Sequence, residues 1–424
     1  MKNLHHALES TLLEELKPDA VITRLLKRKA SEAGVRLSRR ELNRIVRVVQ
    51  EHGEGTVTVG LRRWRWWEAD HSIAVDDSDC QQEMERLEGL SSILPELIRT
   101  TSAEIAEEVL NTLKRSWSRE DRLQKREHRG FRRRLRRRWK RGLDLLGMLV
   151  TVAHELGNEI AGEYEIEPGP KDEPHLSEAL FRLHARTCQI ALEVRTLLCS
   201  GLADGAIARW RTMHELAVVA SFLAEHGDML AERYLDHDAV DAWKATQGYQ
   251  QQWERLGEIP LSDAELAERQ DAYRAVIAKY GESFRRDYGW AAGVLAGKSP
   301  TFKEIKRTCE FDHWRPYYHL ACQNVHASAR GIFLRLGLHN EPILLAGYSN
   351  VGLSSPGQNA AISLMQATVT LLRFSPTLDH LVAAQVMQKV VGETCVAFAA
   401  VENALREEGT KPDEQRDKHH RPVC

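Results

Sequence analysis

The stretch AIARWRTMHELAVVASFLAEHGDMLAERYLDHDA, residues 206–239, sets the fold class. Its apolar residues, among them Ala208, Met213, Leu216, Val219 and Phe222, do not alternate as those of a half-buried strand would. They recur at helical intervals around a few charges. Arg211 and Glu215 are four apart and share a helical face, and His214 lies three residues after Arg211 and five after Arg209. A charged pair on so apolar a helix is either a buried structural ion pair or part of a site. Helical periodicity continues outward from here and predicts one multi-helix bundle over residues 176–405, without a sheet. With only thirteen prolines in 424 residues, the whole chain is expected to be mainly α.

Downstream, RPYYHLACQNVHASARG (315–331) carries a second cluster. His319, Cys322 and His326 stand at i, i+3 and i+7, on one side of a helix. The spacing suits zinc, but a clear fourth ligand is missing, so no metal is expected. The reading is instead a polar patch of His326, Asn324 and Tyr318 facing the Arg211 helix. Arg211 and Glu215 should then be at least partly buried, with Tyr234 or His326 as polar neighbours. Between the clusters, Tyr288-Gly289-Trp290-Ala291 reads as a compact aromatic turn, and residues 347–359, GYSNVGLSSPGQN, as a Gly/Ser/Pro loop. HELGNE (154–159) begins like a zinc-protease motif, but Asn158 stands where the second histidine belongs. GxSxG, Walker A and GxGxxG patterns are absent, so hydrolase-elbow, nucleotide-loop and Rossmann chemistry have no support, and no cofactor is expected.

Upstream of a Pro/Gly/acid stretch at 165–175, read as a domain boundary, residues 81–165 return to helical patterning. Within them lies RLQKREHRGFRRRLRRRWKR (122–141), twelve Lys/Arg against one acid, Glu127. The chain's formal net charge is −2, so the remainder sums to −13 (−2 minus +11). Phe131, Leu135 and Trp139 recur every four residues, one apolar stripe in a cationic shaft. Such a helix fits RNA, another polyanion or an anionic membrane surface. The residues expected to hold nucleic acid are Arg129, Arg132, Arg133, Arg134, Arg136, Arg137, Arg138, Lys140 and Arg141. The competing reading pairs these arginines with the acidic remainder of the fold. Residues 1–52 read as a small helical unit, with a capping box at Ser38 and Glu41 and two short helices joined near Gly34. Residues 53–80 read as a β-hairpin, with Thr56–Val59 and Ile73–Val75 as strands and Trp64, Trp66 and Trp67 between them. Asp76, Asp77 and Asp79 read as a solvated turn, and 406–424 as a flexible tail.

Apolar content of 42% with 28% charged residues excludes the disordered class. No run reaches the roughly 18 apolar residues of a membrane span; the nearest, Leu143 to Ala153, contains Asp144. The first residues, MKNLHHALES, hold no apolar signal core. Seven scattered cysteines with no CxxC pair suggest reduced thiols, and a cytoplasmic location is expected.

Over residues 176–375 the chain resembles a bacterial family known as domain of unknown function 5677. The resemblance rests on ARWRTMHELAVVASFL, ERYLDHDAVDAWK, the YGWA turn, YYHLACQNVHASA and the SNVGLSSPG loop. That family is similar to the broader HEPN class, all-helical proteins that include RNA-cutting toxins and defence effectors. HEPN nucleases carry an arginine followed four to six residues later by histidine, a spacing met by Arg209 and His214. The resemblance implies a HEPN-like domain, a homodimer, and metal-independent cleavage in which the RNA 2′-hydroxyl attacks the adjacent phosphate. His214 would move the proton and Arg209 would stabilise charge; the reading of the residues themselves adds Arg211, Glu215 and His326 as further site candidates. It also implies a role in antiphage defence or as a toxin. The expected function is therefore RNA cleavage or RNA binding. The rivals are a non-catalytic helical sensor or scaffold for a protein partner, and attachment to a membrane surface through the arginine-rich helix.

Overall fold

The structure is a computed structural model, and it describes residues 18–32, 37–52, 55–62, 68–75, 77–166, 173–295, 300–338, 344–374 and 376–409. Gly34, Trp64, Trp66, Trp67, Asp76 and the tail from residue 410 lie outside them. The chain divides into two compact units, Met1–Arg122 and Leu123–Cys424, and is mainly α.

The first unit holds α1 (Pro18–Glu32), α2 (Arg39–His52), the strands β1 (Gly55–Arg62) and β2 (Glu68–Val75), and the beginning of the long helix α3 (Asp77–Ile166). The box at the start of α2 is formed: the Ser38 amide donates to Glu41 at 2.8 Å and the Glu41 amide to the Ser38 hydroxyl at 3.4 Å. Leu25, Leu26 and Ala30 of α1 pack against Ile45 and Val46 of α2 in a small core. β1 and β2 pair antiparallel, with Val57 opposite Ile73 and Val59 opposite His71. Asp77 opens α3, and Asp79 is buried and paired with Lys29, not solvated in a turn. Its helix docks that carboxylate on α1, which a reading of local polarity misses.

The second unit contains the rest of α3 followed by α4 (Pro174–Cys199), α5 (Ala203–His226), α6 (Asp228–Asp236), α7 (Asp238–Leu256), α8 (Asp263–Tyr280), α9 (Phe302–Thr308), α10 (Arg315–Val325), α11 (Ala329–Phe333), α12 (Ser354–Phe374) and α13 (Leu378–Gly409). Short 3-10 turns join some of them, and no strand occurs among the described residues of this unit. The apolar stripe of the arginine-rich segment is inside: Leu135 and Trp139 are fully buried and Phe131 is half-buried. They join a core with Leu143, Leu146 and Leu149 of α3, Val194 of α4, Trp210 of α5, Leu364 of α12 and Phe398 of α13. The Trp139 indole donates to the Asn350 carbonyl at 3.1 Å. The Phe398 ring is clamped between two glycines, because a Cβ at Gly142 would come within 2.9 Å of it and one at Gly357 within 2.5 Å. A second core gathers around Phe222, Trp290, Phe284 and Leu371.

Two expectations change here. The end of α3 and the start of α4, on either side of residues 167–172, belong to one packed unit, so no boundary between units falls at 165–175. α3 packs along the bundle before these residues, and the Tyr164 hydroxyl donates to the Ser177 hydroxyl of α4 at 2.9 Å, the Ser177 proton going to the Pro174 carbonyl at 2.8 Å. Nor is 347–359 wholly a loop, since α12 begins at Ser354. Pro356 falls in its first turn, where a missing N–H costs nothing. Gly357 is there to admit Phe398. The aromatic turn takes shape as a 3-10 segment, Gly289–Gly293, held by Arg233, whose guanidinium donates to the carbonyls of Trp290 at 2.9 Å and Gly289 at 3.2 Å.

Candidate functional site

α5 is apolar enough to run through the middle of the bundle, so its few polar side chains are forced into neighbours. Arg211 is the best satisfied. Its guanidinium donates to Glu215 Oε2 at 3.1 Å, to the Tyr318 hydroxyl at 3.0 Å and to Cys322 Sγ at 3.2 Å, and it lies 5.1 Å from the centre of the Tyr318 ring. Tyr318 in turn donates to Glu215 Oε1 at 2.5 Å. The i, i+4 pair on α5 thus meets the i, i+4 pair Tyr318 and Cys322 on α10. Arg211 and Glu215 keep side-chain exposures of 25% and 24%, so the cluster is neither a closed core pair nor a free surface pair. Burial raises the Tyr318 hydroxyl pKa, with the bond to Glu215 adding to it, and the hydroxyl stays a proton donor. For Arg211, burial works against the charge, but the Cys322 sulfur and the Glu215 carboxylate overcome it.

Lys306 of α9 closes one side. It is only 4% exposed and sits 4.7 Å from the Tyr318 ring centre. Burial lowers its pKa, and the nearby Arg315 lowers it further. No sequence pattern marks this lysine; its neighbours IKRT look like any polar helix end.

The other predicted residues are dispersed. Arg209 turns away from the cluster and pairs with Glu193 of α4 at 2.5 Å. His214 is wholly buried in an aromatic cage, its ring 5.3 Å from Trp210, 5.8 Å from Tyr318, 6.0 Å from Phe311 and 6.4 Å from Trp314. Neither ring nitrogen has a hydrogen-bond partner. Burial pushes its pKa down to about 3, with Lys306 and His313 adding repulsion. His326 does not face Arg211: α10 ends at Val325, and His326 is its extended, exposed C-cap. Tyr234 packs instead on Trp290, edge to face at 5.0 Å. His319 is exposed, and among the described residues no three His, Cys, Asp or Glu side chains are grouped to hold a metal ion.

The cationic face of α3 is the second candidate region. Arg129, Arg132, Arg133, Arg134, Arg136, Arg137, Arg138, Lys140 and Arg141 are all exposed. Four of them have carboxylate partners: Arg136 and Lys140 with Asp144 at 3.4 and 2.7 Å, Arg138 with Glu408 at 2.9 Å, and Arg141 with Glu393 at 3.3 Å. Among the described residues Arg129 donates to the Lys125 carbonyl. Arg132, Arg133, Arg134 and Arg137 have no carboxylate partner among the described residues. Intramolecular pairing therefore accounts for about half of this charge.

Among the described residues one helix segment, Leu378–Glu408, is long and apolar enough by length and composition to cross a membrane; its Met387, Val391 and Phe398 lie in the bundle core. No curated protein and no solved structure matches the chain. The region holding α5, the aromatic turn and α10 does have a counterpart: residues 177–342 match the model of a family of unknown function (DUF5677).

Proposed function

We propose that this chain binds RNA through the cationic face of α3. The observation that carries the reading is the row Arg132, Arg133, Arg134 and Arg137, exposed on a helix anchored in the core by Leu135 and Trp139 and without carboxylate partners among the described residues. A helical shaft of exposed guanidinium groups suits phosphate oxygens, to which they donate in a fixed fork. Binding is favoured over cleavage. Arg209 is engaged by Glu193, and His214 has no solvent exposure from which to reach a 2′-hydroxyl. The HEPN-like kinship and the defence or toxin setting implied by the resemblance enter only as family context for this proposal.

The test is salt dependence. Four contacts to a single strand, at about 0.7 each, contribute about 2.8 to the slope of log affinity against log salt, or roughly 50-fold between 50 and 200 mM. Replacing the four arginines with glutamine should remove that share, while replacing the four paired cations should remove less. No RNA retained at low salt, or an unaltered slope in the unpaired-arginine variant, overturns the proposal.

A second reading is favoured by a different surface. Ile105, Val109, Leu113 and Trp117 recur every four residues on an exposed length of α3, an apolar row suited to another helix. Docking of a protein partner there, including a second copy of this chain, would show in sedimentation velocity and be lost in Leu113→Glu.

A further inference from the structure

Where the cationic face ends, a groove begins on the same helix. The surface lined by Arg137, Arg138, Lys140 and Arg141 reaches Met148, and a groove of about 610 Å³ between α3 and α4 opens at Val150. Arg137, Arg141, Asp144, Met148, Thr151, Glu155 and Asn158 are spaced alternately by four and three, so they line up along one face of α3. At 1.5 Å per residue, Arg141 and Asn158 are about 25 Å apart along a single rigid element.

The groove is built to take a polar edge over an apolar floor. Phe181 and Leu192 supply apolar surface, while His154, Asn158 and Gln189 stand around it. His184 lines it from below, 95% buried. Its tautomer is set by its neighbours. The Thr368 hydroxyl donates its proton to the Leu364 carbonyl at 2.8 Å, so it must accept from His184 Nε2 at 3.1 Å. Nδ1 is then an unprotonated acceptor, with the Cys188 thiol 3.9 Å away as its weak donor. The residue above that ring is Gly157, where a Cβ would fall 2.7 Å from Nδ1 and Cε1. The glycine keeps the imidazole close under the groove.

We infer that this groove receives a nucleobase of the strand whose phosphates lie on the arginine face; the inference rests on the RNA-binding reading above. A base matches its chemistry. The flat ring covers Phe181 and Leu192 above the buried His184, its N–H donors meet the Glu155 carboxylate, and the amides of Asn158 and Gln189 donate or accept as the edge requires. Glu155 repels phosphate, so the backbone stays on the arginine side and the base is what enters. A duplex hides these edges, so the strand is single.

The experiment compares two oligomers of equal length, a uridine-rich single-stranded RNA and an abasic strand with the same phosphates, on the full chain. Wild type should bind the base-bearing strand about tenfold more tightly, the scale of one stacked base. Ala185 is exposed on the groove wall, so Ala185→Trp and the smaller Ala185→Leu fill the groove from outside, with folding checked by circular dichroism. Both variants should bring RNA down to the abasic affinity and leave the abasic affinity and its salt slope unchanged. Equal wild-type affinities for the two strands, or a preference surviving in Ala185→Leu, overturns the base groove while leaving the phosphate grip intact. If wild type retains neither strand at low salt, both proposals fall.

Discussion

Replacing His214 with phenylalanine separates packing from chemistry at the residue most suggestive of catalysis. Both ring nitrogens are buried without partners, and a buried polar group left unsatisfied costs about 1–3 kcal/mol. The phenyl ring keeps the aromatic contacts to Trp210, Trp314 and Phe311 and removes the polar atoms. At pH 7.5 the folded state should hold its own or gain. The sharper number is the pH dependence. The ring's pKa is held down to about 3 in the folded chain, against 6.5 when it is free. Above pH 6.5 it is neutral in both states. Between 6.5 and about 3 the unfolded chain takes up a proton that the folded chain refuses, so this histidine's support is lost as pH falls. At pH 5, about 1.5 pH units into that window, the loss is about 2 kcal/mol at 1.36 kcal/mol per unit. Phenylalanine cannot titrate, so its advantage over wild type should be about 2 kcal/mol larger at pH 5 than at pH 7.5. Any misfit of the larger ring cancels between the two pH values, and so does the titration of His184. Urea unfolding followed by circular dichroism at both pH values reads the difference directly. An equal difference between the two proteins at both pH values would refute the reasoning, because the ring would then be protonating in the folded state.

Phe398→Ala should cost about 3–5 kcal/mol in urea or thermal unfolding, since neither Gly142 nor Gly357 has a side chain to collapse into the space. Glu215→Ala should destabilise by about 1–3 kcal/mol, leaving the half-buried Arg211 without its carboxylate, and Tyr318→Phe by about half as much; no change in either would mean the cluster is idle. His175 accepts stabilisation from Asp228 at 2.8 Å, which raises its pKa. An NMR titration should find that value above 6.5 and see it fall in Asp228→Asn. The corresponding stability is present below pH 6.5 and fades as pH rises through the raised value.

What the sequence by itself determined is what local spacing can carry. The helical period of 206–239, the cap at Ser38 and Glu41, the stripe Phe131, Leu135 and Trp139, and the shared face of Arg211 and Glu215 all follow from 3.6 residues per turn. Each of these helices was legible because its apolar face must be buried somewhere. Where that face is buried is a different question, and only the tertiary structure decided it. Proline and glycine at 165–175 mark a break in helical patterning, but composition does not distinguish a connection within one unit from a boundary between two. Arg209 and Arg211 are two residues apart and so point to different sides of α5. Which side holds Glu193 and which holds Tyr318 and Cys322 depends on partners 16 to 111 residues away. His326 shares a helical face with Cys322 only while the helix lasts, and it ends one residue too early. The burial of Lys306 and that of His184 have no local signature, because each arises where several helices meet. Charge density, by contrast, survives any packing: the helical segment 122–141, with twelve cations and one acid, keeps cations in water whichever neighbours it finds, since its one apolar stripe leaves the rest of the shaft nothing to bury.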